Sequence, residues 1–155
     1  MAVSLGPSGL TLDNFEIPHN TPSTVLQIVH VDWGSQSYST NSSANVDYTN
    51  FSGQITPKRS DSKILVILSA GANYICDGRT YLKRNGTIVK DEWVGTDRSD
   101  DVYDYNQMNA VYLDSPATTS TVTYQIGGRA TGCQNVIRFG RTDNSSSLTL
   151  MELSQ

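Results

Sequence analysis

The feature that most constrains this chain is its punctuation. From residue 24 onward, Gly, Ser, Thr and Asn interrupt the sequence about every ten residues, and the runs between them are rich in Val, Ile, Tyr and Thr. β-Branched and aromatic side chains suit a pleated surface and lose rotamer freedom against a helical turn. No capped window places apolar residues at the i, i+3, i+4, i+7 spacing of a buried helix face. Many short strands joined by frequent turns predict an all-β chain, folded as a sandwich or a barrel.

The strands can be placed individually. "TVLQIVHV" (24–31) follows a segment whose two prolines forbid regular pairing. In "VDYTNFSGQI" (46–55), simple alternation puts Val46, Tyr48, Asn50 and Ser52 on one face and Asp47, Thr49, Phe51 and Gly53 on the other; the weak pattern suits an outer strand. "KILVILSAGANYI" (63–75) is almost continuously apolar, which predicts a central strand covered on both sides. In 79–94, Asn85-Gly86 separates two strand-like runs. That dipeptide accepts the positive φ of a type I′ turn, so a tight hairpin is expected. Runs at 102–114, 120–130, 134–140 and 146–154 complete the set, with Val122, Tyr124 and Ile126 on one face and Leu148 and Leu150 directed inward. Residues 32–45 suit either a loop or a short extra hairpin.

Residues 1–23 differ from the rest. They hold Pro7, Pro18 and Pro22, three of the five prolines, and little strand-like sequence. This segment is expected to be an arm that packs on something else, and residues 24–155 the folded head. "SGLTLDNFEIP" within the arm suits one short extended piece.

Charge and composition exclude several function classes. Eleven Lys and Arg against fifteen Asp and Glu give a net charge of −4. That balance disfavours a phosphate-tracking surface, so no nucleic-acid partner is expected. The longest apolar run is strand-sized, far short of the ~20 residues of a spanning helix, and no membrane partner is expected. "MAVSLGPSGLTL" lacks the charged and apolar regions of a secretory signal, which points to cytoplasmic synthesis. In that setting Cys76 and Cys133 read as reduced thiols, with a disulfide as the alternative. With His19 and His30 they show no zinc-ligand spacing.

Residues that could carry chemistry fall into three groups. Asp91, Glu92, Asp97, Asp100, Asp101 and Asp104 crowd one stretch, but the spacing of a calcium loop is missing. A solvated loop is the simpler reading, and no metal or cofactor is expected. In "GGRATG" (127–132) a phosphate cradle would require a following helix. The next run reads as a strand, so the glycines mark a bulge or a close backbone approach. Trp33, Trp93, Tyr103 and Tyr105 are candidates for stacking on a sugar ring, or else fillers of the core or a subunit contact. No nucleophile–base constellation is visible, and an enzyme is not expected.

Three segments carry a resemblance. "ITPKRSDSKILVILSAGA" (55–72), "YLDSPATTSTVTYQI" (112–126) and "SSLTLMELSQ" (146–155) resemble, in the same order, the C-terminal head domains of bacteriophage virion proteins, as found on tail fibres. The resemblance covers about two-thirds of the chain. It implies an antiparallel jelly-roll β-sandwich, similar to tumour-necrosis-factor and complement heads, that assembles as a homotrimer. None of its motifs is catalytic. It also gives "DSPATTST" a role as a connection between strands, with Pro116 fixing φ and hydroxyls satisfying nearby backbone groups.

The chain departs from the fibre pattern in having no shaft-like sequence before its first head strand. The expectation is therefore a trimeric capsid decoration, or cement, protein on the virion surface. Its partners would be copies of itself and the major capsid protein, contacted through Leu5, Leu10, Leu12, Phe15 and Ile17 of the arm. The alternative is a short fibre or spike head that binds host glycan through the four aromatic residues named above.

Overall fold

The computed structural model describes residues 3–6, 9–12, 24–74, 78–96, 104–130, 137–140 and 145–155. The described residues form strands joined by turns, with no helix among them. The strands are β1 (Val3–Gly6), β2 (Gly9–Leu12), β3 (Val25–Gly34), β4 (Tyr38–Thr40), β5 (Val46–Ile55) and β6 (Lys63–Tyr74). They continue with β7 (Gly78–Arg84), β8 (Thr87–Thr96), β9 (Asp104–Asp114), β10 (Val122–Ala130), β11 (Ile137–Phe139) and β12 (Ser146–Leu153).

Two antiparallel sheets face each other. One has the order β5-β10-β7-β8; the other runs β3-β12-β6-β11-β4, with β9 paired to β6. Counting only the eight long strands in chain order, the sheets read 1-8-3-6 and 2-7-4-5. That is the doubly crossed connection of a jelly roll, in which first and last strands lie side by side. The expected all-β sandwich is present. β1 and β2 form a separate two-stranded hairpin in register Val3↔Leu12 and Leu5↔Leu10. Within the expected arm, Val3–Gly6 and Gly9–Leu12 are paired strands; of the extended piece expected at 8–18, Gly9–Leu12 is extended and residues 13–18 lie outside the described residues.

The core lies between the sheets. Ile64, Val66, Leu68 and Ala70 of β6 face Val122, Tyr124 and Ile126 of β10 and Leu82 of β7, all buried, and Leu148 and Leu150 of β12 join them. At the end of the sandwich near Phe139 the core is aromatic. Trp33 meets Phe51 edge-on at 5.0 Å between centroids, Phe51 meets Phe139 at 4.8 Å and 90°, and Tyr48 lies 5.2 Å from Phe139. Edge-to-face pairs add about 0.5–1.5 kcal/mol each beyond area burial.

Local sequence explains the connections. Asn85 and Gly86 adopt φ of 49° and 84°, the left-handed pair of a type I′ turn, so β7 and β8 form the expected hairpin. Asn85 also accepts a hydrogen bond from the Thr123 amide on its side-chain oxygen and donates its own amide to the Thr123 carbonyl, tying the turn to β10. In "DSPATTST", Thr118 Oγ1 accepts from the Ser120 amide and Ala117 sits at φ 53°.

Three expectations need correction. β5 is an edge strand, but strict alternation fails within it: Tyr48 and Phe51 are both buried. The register jumps from Ser52↔Gln125 to Asp47↔Gly127, so extra residues in β5 bulge and reverse the phase. β6 is central, but only one of its faces is covered. Its other face, with Leu65 and Ile67, is only half-buried. Residues 32–45 resolve into the end of β3 and the short β4, which pairs with β11.

Candidate functional site

The most chemically suggestive groups are two buried carboxylates at the end of the sandwich opposite the aromatic cluster. Register places Gln27, Glu152, Ile64 and Asp114 in one row of neighbouring strands, on the inward face. Asp114 accepts from Arg84 Nη1 on both oxygens, at 2.8 and 3.0 Å, and from the Tyr124 hydroxyl at 2.6 Å. Burial, then the Asp114 carboxylate, holds the Tyr124 phenol neutral well above its ordinary range. Glu152, fully buried, accepts from the amides of Lys58 and Arg59 and from Gln27 Nε2. Each carboxylate has its lone pairs engaged by protein donors. The pair therefore bolts sheet to sheet and loop to sheet, which is structural work. Sequence reading missed both, because an acidic residue at a strand end looks like an exposed one.

A second polar group lies on the outer side of the four-stranded sheet. Asp47 accepts from Lys83 Nζ at 2.9 Å and from the Tyr81 hydroxyl at 2.8 Å. Burial raises the Asp47 pKa, but those two donors outweigh it and the carboxyl stays below its usual range. Arg129 donates to Asp91 and to Asn45, each at 2.9 Å. The glycine pair sets the geometry here. A Cβ on Gly127 would overlap the Tyr81 phenol, and one on Gly128 would overlap the Tyr48 hydroxyl. Successive residues of a strand point to opposite faces, so each glycine admits one tyrosine on its own side of the sheet. The register shift of β10 against β5 also falls at Gly127. The close-approach reading of the glycines holds; the bulge beside them lies in β5, since β10 keeps an unbroken register with β7 through both.

The candidate sugar-stacking residues divide. Trp33 is 5% exposed, packed on Phe51, with Nε1 donating to the Ser52 carbonyl at 3.1 Å. A ring must be exposed to stack on a sugar, so Trp33 is a core residue and not a platform. Trp93 lies in β8 and Tyr105 in β9, with side chains outside the described residues, as is Tyr103 altogether. Leu5, Leu10 and Leu12 sit on the β1–β2 hairpin, and Phe15 and Ile17 lie outside the described residues. Cys76, Cys133 and most of the acidic stretch do too. Among the described residues no group of three or more His, Cys, Asp or Glu could hold a metal.

What remains is an apolar surface. The outward face of the large sheet reads, from β3 across β12 and β6 to β9, as rows of residues in register. One row is Ile28, Met151, Leu65, Leu113; the next is His30, Thr149, Ile67, Val111; the third is Asp32, Ser147, Ser69, Asn109. Val25 and Leu153 extend the apolar end. Four large apolar side chains here stand well out of the protein: Val25 45%, Ile28 56%, Val111 61% and Leu113 47% exposed. Covering the exposed half of each would stabilise an assembly by about 1 kcal/mol apiece, or ~4 kcal/mol per protomer. Four strands ~4.8 Å apart and about eight residues of ~3.4 Å rise project to roughly 500 Å². The apolar residues occupy one end of that area and His30, Thr149 and the third row the other; apolar patches of a few hundred Å² are often functional.

No family model matches the chain, and no curated protein matches it. Among solved structures, the crystal structure of the infectious bursal disease virus VP2 subviral particle is similar to it at 11% identity with a TM-score of 0.43. The match covers 99% of this chain, which spans 43% of the length of that one.

Proposed function

We propose that this protein is a non-enzymatic structural component of a virion, a homotrimeric decoration protein that cements the head shell. The observation that carries the reading is a jelly roll whose buried carboxylates are engaged by internal bonds, while one sheet face exposes large apolar side chains on both its borders. Such a molecule is built to be covered by another surface. The three segments resembling phage virion heads supply the context, and the trimer suits the local three-fold points of a capsid lattice. In this reading the N-terminal residues, with Leu5, Leu10, Leu12, Phe15 and Ile17, reach onto the major capsid protein. The virion surface is where the protein acts.

Deleting residues 2–20 tests it. The truncated protein is expected to remain soluble and assembled but no longer to decorate capsids in a binding assay read by electron microscopy. Undiminished decoration would remove the arm as the anchor. Localisation to the tail, with specific hits on a glycan array, would replace the reading with that of a receptor-binding head.

A further inference from the structure

We infer that the outward face of the β3-β12-β6-β9 sheet is where copies of this chain meet, the β3 border of one against the β9 border of the next. This inference rests on the self-assembly part of the proposed function and gives it a surface.

Three observations select a second copy as the occupant. The first is charge. The chain carries a net −4, so identical copies repel on average, and least where a surface holds few charges. On this face the outward positions of the four strands hold one cation, Lys63, and one anion, Asp32. The β9 border, with Gln107, Asn109, Val111 and Leu113, holds no charge. Copies can approach here without like charges meeting.

The second is the distribution of exposure. The outward residues of the two middle strands, Leu65, Ile67, Met151 and Leu153, are half-buried by their neighbours. The well-exposed apolar side chains lie on the two borders, Val25 and Ile28 on β3, Val111 and Leu113 on β9. A ring of identical subunits needs two different, complementary surfaces on each protomer. Two apolar borders flanking one sheet provide them. Ile28 and Leu113 occupy the same row, so an axis parallel to the strands brings them to the same height in adjacent copies.

The third is size. The ~500 Å² projection, enlarged by side-chain relief, is on the scale of the ~800 Å² that each partner gives to a standard interface. An apolar centre with the Asp32, Ser147, Ser69 and Asn109 row beside it also matches the apolar core and polar rim of such contacts.

The experiment uses the full chain, with mass photometry and sedimentation across a dilution series. Ile28→Glu and Leu113→Lys, each at an exposed position, are expected singly to weaken association by at least about tenfold while leaving the circular dichroism spectrum unchanged. Combined, they place opposite charges at the same height on meeting borders, and association is expected to return. Gln54→Glu, on the outer side of the other sheet, is the control and is expected to keep the wild-type mass. A wild-type protein that stays at its 16.9 kDa protomer mass at every concentration would overturn both this inference and the self-assembly reading. A wild-type trimer that survives both single substitutions would overturn this face alone. So would a double variant no better assembled than the singles, because the two borders would then not meet.

Discussion

Replacing Asp114 by Ala isolates the bond that ties the two sheets together at one end of the sandwich. Asp114 is 5% exposed and Tyr124 fully buried, so the substitution strands a phenol hydroxyl that has no route to water. Losing a hydrogen bond to a charged acceptor costs about 1.5–3 kcal/mol. The Arg84 side chain is 30% exposed, so its half of the cluster is partly screened and adds at most about 1 kcal/mol. The sum is a loss of about 2–4 kcal/mol. In a domain of this length each kcal/mol moves the melting temperature by about 2–4 °C, so a fall of roughly 4–16 °C is expected. Tyr124→Phe should cost less, about 1 kcal/mol, because Asp114 keeps Arg84. The assay is urea unfolding at fixed protomer concentration for both single variants and the double, since assembly makes stability concentration-dependent. The double variant should lose little more than Asp114→Ala alone, a coupling close to the roughly 1 kcal/mol that Tyr124→Phe costs by itself. Strict additivity would show that the 2.6 Å contact between these side chains contributes no shared stability, and the bolt would have to be assigned elsewhere.

Glu152→Leu should release the segment after β5: the Lys58 and Arg59 amides lose their acceptor, and their hydrogen exchange is expected to accelerate far more than that of Leu148 or Leu150; equal acceleration everywhere would mean global loosening instead. Tyr81 and Tyr124 are both held neutral above the ordinary 10.0, first by burial and then by their bonds to Asp47 and Asp114. A raised pKa in the fold means full stability below pH ~10 and loss as pH climbs beyond it, so these phenols should ionise only as the fold opens. Phenolate absorbance reaching its full amplitude near pH 10 with an intact near-ultraviolet circular dichroism spectrum would contradict this. Asp47 works in the opposite sense. Its lowered pKa gives stability above the ordinary 3.8 that disappears as pH falls below it, and Asp47→Asn should flatten that acid limb slightly, since the side chain is 39% exposed.

Local chemistry settled much of the architecture in advance. Asn85-Gly86 fixed a hairpin because few other dipeptides accept two positive φ angles in succession. Val122, Tyr124 and Ile126 declared their inward face because side chains alternate along a strand and the opposite set, Thr123 and Gln125, is polar; in β12 Leu148 and Leu150 turn inward although Met151 and Leu153 lie on the other side. The glycine pair announced a close approach, although not that a tyrosine would lie on each side. Where two rules competed, the sequence was silent or misleading. In β6 both alternating sets are apolar, Ile64, Val66 and Leu68 against Leu65 and Ile67, and periodicity cannot say which will be covered. In β5 a bulge reversed the phase. Asp114 and Glu152 took the opposite environment from the one their type suggests, because donors from distant strands and loops reached them, while Trp33 took the core place that was one of its two readings. A chain's own order dictates which residues share a face. Which face meets water depends on contacts between segments a hundred residues apart, and only the packed sheets decide it.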